Sequence, residues 1–176
     1  MIRKMLTCGL FVLTLAAGTR ADDAPAKAAP ANPQFEKVKK MAGTWVEADK
    51  DGKPTDKVVS VVKEFAGGSA VIETTFPGTP MEMVSVYHLD KGDLVMTHYC
   101  VLGNQPRLKA DPKSKPNQIK WDFVGGTNLD PAKDTHMHSA VVTFIGDDQI
   151  ELAGEAWEKG KPSPDHCGTM KLVRKK

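Results

Sequence analysis

Residues 82–102, EMVSVYHLDKGDLVMTHYCVL, decide the fold. Two runs rich in β-branched and aromatic residues, 82–89 and 93–102, flank a tight turn at Lys91-Gly92, which is the pattern of a β-hairpin. Side chains alternate along a strand. Leu94, Met96, His98, Cys100 and Leu102 therefore share one face, and Val95, Thr97, Tyr99 and Val101 share the other. Both faces carry apolar residues, so phase favours an inward His98 without dictating it.

The same grammar extends in both directions. Strands are expected over 44–50, 56–65, 69–76, 118–124, 136–145, 149–158 and 165–174, in addition to the two above. Turn signals separate them: Asp51-Gly52, Gly67-Gly68, Pro77-Gly78-Thr79-Pro80, Gly146-Asp147-Asp148 and Gly160-Lys161-Pro162. Nine or so antiparallel strands admit a closed up-and-down barrel or a two-sheet sandwich. Most links are tight hairpins, with longer ones only at 111–117 and 125–135, and this favours the all-β antiparallel up-and-down barrel. Closure also removes exposed strand edges.

Before the strands, Asn32-Pro33 starts a short helix in which Phe35, Val38 and Met41 fall at helical spacing, with Gly43 as its stop. Further upstream, residues 1–21 have the layout of a signal peptide: Arg3 and Lys4, an apolar run, then Thr19-Arg20-Ala21. An uncleaved anchor is the alternative, against which the run is short for a membrane span. Residues 22–31, DDAPAKAAPA, read as a disordered spacer, which leaves 32–176 as the barrel domain. Removing 1–21 takes three basic residues and no acid, so the net charge moves from +2 to −1. An exported protein, periplasmic or secreted, is expected.

Composition excludes several classes. Charge is balanced, 24 basic against 22 acidic residues, so no nucleic-acid footprint is written in the chain. The mean hydropathy of −0.34 and the single apolar run argue against an integral membrane protein with helical spans. The chain contains no G-x-S-x-G, P-loop, H-E-x-x-H or G-x-G-x-x-G motif, so nothing marks a hydrolase or a nucleotide enzyme.

Candidate chemistry concentrates in two places. In 97–107 a strand runs into a Gly-Asn turn, with His98 aimed at an interior and Asn104, Gln105 and Arg107 as donors at its mouth. The same residues also read as a turn held by side-chain hydrogen bonds beside a satisfied core histidine. In 136–138, two histidines at i and i+2 project the same way. His136 and His138 with His98 or Cys100 could form a metal set, or the two could simply be a hydrogen-bonded pair. A non-covalent haem on His98 or His138 belongs to the same alternative, since no C-x-x-C-H sequence is present. Glu73, Asp122 and Glu155 read as isolated, solvated strand carboxylates. Cys100 is expected inward and Cys167 outward on distant strands, which argues against a bridge between them.

A short helix leading into Gly43-Thr44-Trp45 resembles the Gly-x-Trp opening of lipocalin-like (calycin) barrels. The resemblance implies that Trp45 plugs one end and that a basic residue of the last strand, Lys171 or Arg174, packs across it. The segments 76–80, 84–90, 98–100, 103–107 and 123–130 are similar to a group of exported bacterial proteins of uncharacterised function. The Gly-x-Trp opening is also shared with nitrobindin-like haem barrels.

These readings converge on a barrel that binds a small, partly apolar molecule inside. The expected orienting groups are His98, Asn104, Gln105, Arg107, Asn128 and His138, with Tyr87, Met96 and Trp121 as wall. The rival reading is a metal- or haem-dependent barrel, with an enzyme as one form of it, using His98, His136 and His138. A third is an interaction module with a packed core and an exposed apolar patch.

Overall fold

A computed structural model describes residues 31–176 of the protein. The expected signal peptide, and all of the expected spacer except Ala31, lie outside the described residues. No helix among the described residues is long and apolar enough to cross a membrane.

The chain enters through α1 (Pro33–Lys40). Its first turn is capped by Asn32, whose Oδ1 accepts from the backbone amides of Gln34 and Phe35 at 2.9 and 3.0 Å. Phe35 and Val38 are its buried face. Ten antiparallel strands follow among the described residues: β1 (Gly43–Ala48), β2 (Pro54–Phe65), β3 (Ala70–Thr75), β4 (Met83–Asp90), β5 (Asp93–Tyr99), β6 (Gln105–Ala110), β7 (Gln118–Thr127), β8 (His136–Phe144), β9 (Gln149–Glu158) and β10 (Lys161–Arg174). Each pairs with its neighbours in sequence, and β1 pairs with β10 to close the barrel, Trp45 opposite Arg174 and Val46 opposite Val173.

Ten strands replace the expected nine because β6 is a strand rather than a turn continuing at the mouth. Pro106 obscured it, since proline within a run normally argues against a ladder position. The period was nevertheless present: Pro106, Leu108 and Ala110 are buried while Arg107 is exposed between them. β10 also begins earlier than expected, at Lys161, through a segment broken by Pro162 and Pro164.

The helix lies across one end of the barrel. Asn32 Nδ2 donates to Gly92 O and Gln34 Nε2 to Asp111 O, both at 2.9 Å, and Lys37 Nζ donates to Pro116 O. These bonds tie α1 to the β4–β5 turn and the β6–β7 link. The same end carries the Gly-x-Trp arrangement. The Trp45 indole is buried and donates to Met41 O at 2.8 Å, and the Arg174 guanidinium stands 4.4 Å from its ring centre. Arg174, not Lys171, is therefore the basic residue that packs on Trp45. Gly43 starts β1 rather than stopping the helix. Its φ of +137° favours glycine, and a Cβ there would stand 2.8 Å from Arg174 Nη1.

The two described cysteines are unbridged. Cys100 Sγ lies 3.9 Å from Met83 Sδ, and Cys167 Sγ donates to Ser163 O at 3.1 Å.

Candidate functional site

The interior holds a cavity of about 360 Å³ away from the helix-covered core, and strand register explains both its polar and its empty side. On β3, β4 and β5 the cross-strand partners Glu73, Ser85 and His98 stand in one row facing the hollow. The next row toward the helix end is Val71, Tyr87 and Met96. Directly opposed residues on one sheet face interact, so register alone assembles this polar cluster from three separate strands.

The far wall runs from one large ring into three small residues. Trp121, Ala140, Gly154 and Gly168 form one row across β7, β8, β9 and β10. A Cβ added at Gly154 or Gly168 would meet no atom of the described residues within 4 Å. This row leaves the space unfilled. Below it, Val142, Leu152 and Met170 make the next row and give the hollow an apolar floor.

The polar cluster is nearly sealed from bulk water. Glu73 is 5% exposed and His98 3%. Ser60 Oγ donates to Glu73 Oε1 at 2.6 Å and Tyr87 Oη donates to Oε2 at 2.5 Å, so both carboxyl oxygens serve as acceptors. Ser85 Oγ and His98 Nδ1 are hydrogen-bonded at 2.9 Å. Burial pulls the His98 imidazole down to about 4, so its ring is neutral at pH 7. Burial, together with the neighbouring Glu73 charge, pushes the Tyr87 phenol well above its ordinary range and keeps it a donor.

Four of the expected residues, Tyr87, Met96, His98 and Trp121, line this cavity, and the Tyr87 and Trp121 rings lie 5.5 Å apart. Asn104, Gln105, Arg107, Asn128 and His138 do not line it. Asn104 is buried and donates to Thr135 O at 2.8 Å, which pins the β5–β6 turn to the link before β8. Gln105 Oε1 accepts from Thr127 Oγ1 at 2.7 Å and from Asn128 Nδ2 at 3.3 Å, while Arg107 is exposed on β6. Asn104, Gln105 and Asn128 thus knit β6, β7 and the adjoining loops at one end of the barrel.

Simple alternation would put His136 and His138 on one face with Ala140 and Val142, but a register shift between Met137 and Ser139 breaks it. An extra residue in one strand reverses the phase beyond it. Met137 therefore lines the cavity with Ala140 and Val142. His136 Nε2 and His138 Nδ1 lie 3.2 Å apart, and His138 stacks on Trp157 at 3.7 Å beside Phe123. Burial and the adjacent His136 lower the His138 imidazole. The set His98, His136 and His138 is thus not assembled, and no three His, Cys, Asp or Glu side chains converge among the described residues.

Glu73 corrects another expectation: it is buried, not solvated. Asp122 pairs with Lys120 at 3.0 Å, and Glu155 accepts from Ser139 at 3.0 Å. Val71, Glu73 and Thr75 share a strand face, so the placement of Glu73 was readable from phase with its apolar neighbour. The small-residue row was not, because it depends on the pairing of three strands.

No protein-family model and no curated protein matches the chain.

Proposed function

We propose that this protein is an exported, lipocalin-like barrel that binds one small, partly apolar molecule inside. Export rests on the leader pattern of residues 1–21, and the lipocalin-like reading on the Gly43-Thr44-Trp45 opening with Arg174 across the indole. One observation carries the binding reading. A well-paired barrel keeps about 360 Å³ empty, facing a buried polar row, where side chains of ordinary size would fill it. Ligand pockets run from about 300 to 1,000 Å³ and pair apolar walls with a few placed polar groups. This hollow has both properties and stands at the small end of that range.

In this reading Trp121, Met96 and Leu152 hold the apolar body of the ligand, and His98, Tyr87 and Glu73 read its polar end. The test is a thermal-shift screen of small amphipathic compounds on the protein and on Gly154→Leu. Gly154 is free of positive-φ strain, so the leucine enters the hollow without distorting the strand. Compounds that raise the Tm of the parent should leave the variant unmoved. Equal shifts in both would place binding elsewhere and overturn the reading.

A further inference from the structure

Among the described residues the cavity contains a carboxyl and no counter-ion for it. Glu73 is, among the described residues, the sole acidic residue of its lining, and that lining includes no lysine or arginine. No ion pair reaches Glu73 among the described residues, where eight lysines and Arg174 pair with carboxylates elsewhere. Its partners are two neutral hydroxyls, of Ser60 and Tyr87. A buried carboxylate without a cation is costly in a folded protein unless something completes it.

From this we infer that the cavity takes a small organic ammonium, an amine with a compact apolar body, whose charged head sits against Glu73. This deepens the binding reading above and rests on it. Three further features suit a cation. The rings of Tyr87 and Trp121 flank the space, and aromatic faces attract ammonium groups. The imidazole of His98 is neutral at pH 7 and does not oppose a positive charge. The floor and sides are thioether and aliphatic, from Met96, Met170 and Leu152, which fits an uncharged body. A carboxylate or phosphate ligand would instead be brought beside Glu73 with no lysine or arginine among the described residues of the wall to receive it. The volume further restricts the body to a single ring or a short branched chain rather than a long acyl chain.

The experiment compares matched probes on the intact protein at pH 7 by calorimetry. Three bodies (phenylethyl, isobutyl and cyclohexyl) are each presented as ammonium, alcohol and carboxylate. At least one ammonium should bind about tenfold or more tighter than its alcohol, consistent with a charge-assisted bond in a buried site, and the carboxylates should not bind. In Glu73→Gln, checked by circular dichroism for an intact fold, the ammonium should lose that advantage while the alcohol binds as before. If alcohols or carboxylates bind the parent as tightly as the ammoniums, the cation assignment fails and the binding reading survives. If no probe binds and the broader screen also finds no ligand, both fail. The parent comparison stands even if Glu73→Gln does not fold.

Discussion

Tyr87 donates its phenolic hydrogen to Glu73 Oε2 at 2.5 Å, diagonally across two neighbouring strands in which Val71 faces Tyr87 and Glu73 faces Ser85. The bond joins the two rows of the polar wall and fixes the carboxyl in the hollow. Tyr87→Phe keeps the ring against Trp121 and removes only the donor. The remaining partner of Glu73 is then Ser60. Loss of a donor to a buried charged acceptor should destabilise the fold by about 1–3 kcal/mol in urea unfolding. A loss below about 0.5 kcal/mol would show that the bond contributes little to holding the wall.

His98 supplies a pH signature. Its imidazole falls from 6.5 to about 4 in the folded protein because burial disfavours the charged ring. The unfolded chain therefore binds more protons between those values, and stability rises with pH across that window. The contribution is fully present above pH 6.5 and is lost as pH falls toward 4, roughly 3 kcal/mol in all. His98→Gln should flatten this part of the stability curve relative to the parent protein. Ring-nitrogen NMR should follow the same group directly, and a midpoint near 6.5 would contradict the burial of His98.

Much of the architecture was legible because it follows from period-two alternation and turn chemistry, as in the 82–102 hairpin. β6 was hidden by Pro106, although its alternation of Leu108 and Ala110 with Arg107 was in plain view. The site was less legible, for a physical reason. Residues such as Tyr87, Met96, His98 and Trp121 can be phased within their own strands, but the cavity depends on which strands face one another. His138 shows the limit most clearly. One extra residue between Met137 and Ser139 exchanges the face of the histidines for that of a methionine, and no local feature of 136–145 announces it.

Closure of the helix end rests on Arg174. Its guanidinium covers the Trp45 ring and donates to Lys40 O and Ala42 O at 2.9 and 2.6 Å, while Nε contacts Asp148 at 3.0 Å. Gly43→Ala would place a methyl 2.8 Å from Nη1 at a φ of +137°, so two penalties act together. The single change should cost about 1–3 kcal/mol. Combined with Arg174→Ala, which removes the clash, the two costs should sum to more than the double variant shows. Strict additivity in urea unfolding would mean that backbone strain alone sets the Gly43 requirement.

Gly154 and Gly168 bring stability and binding into opposition. Neither has a positive φ, and neither has an atom of the described residues within 4 Å of where a Cβ would stand, so no turn and no close backbone approach among those residues accounts for them. Glycine inside a strand weakens it through the entropy of the unfolded chain. Gly154→Ala should therefore stabilise the protein by about 0.4–1 kcal/mol. The same methyl projects into the hollow and should weaken binding of any ligand that fills it. A gain in Tm accompanied by a loss of affinity is the expected pair of results. If Gly154→Ala destabilises the fold, an unseen packing constraint holds the glycine, and the row of small residues is then not a device for keeping space open.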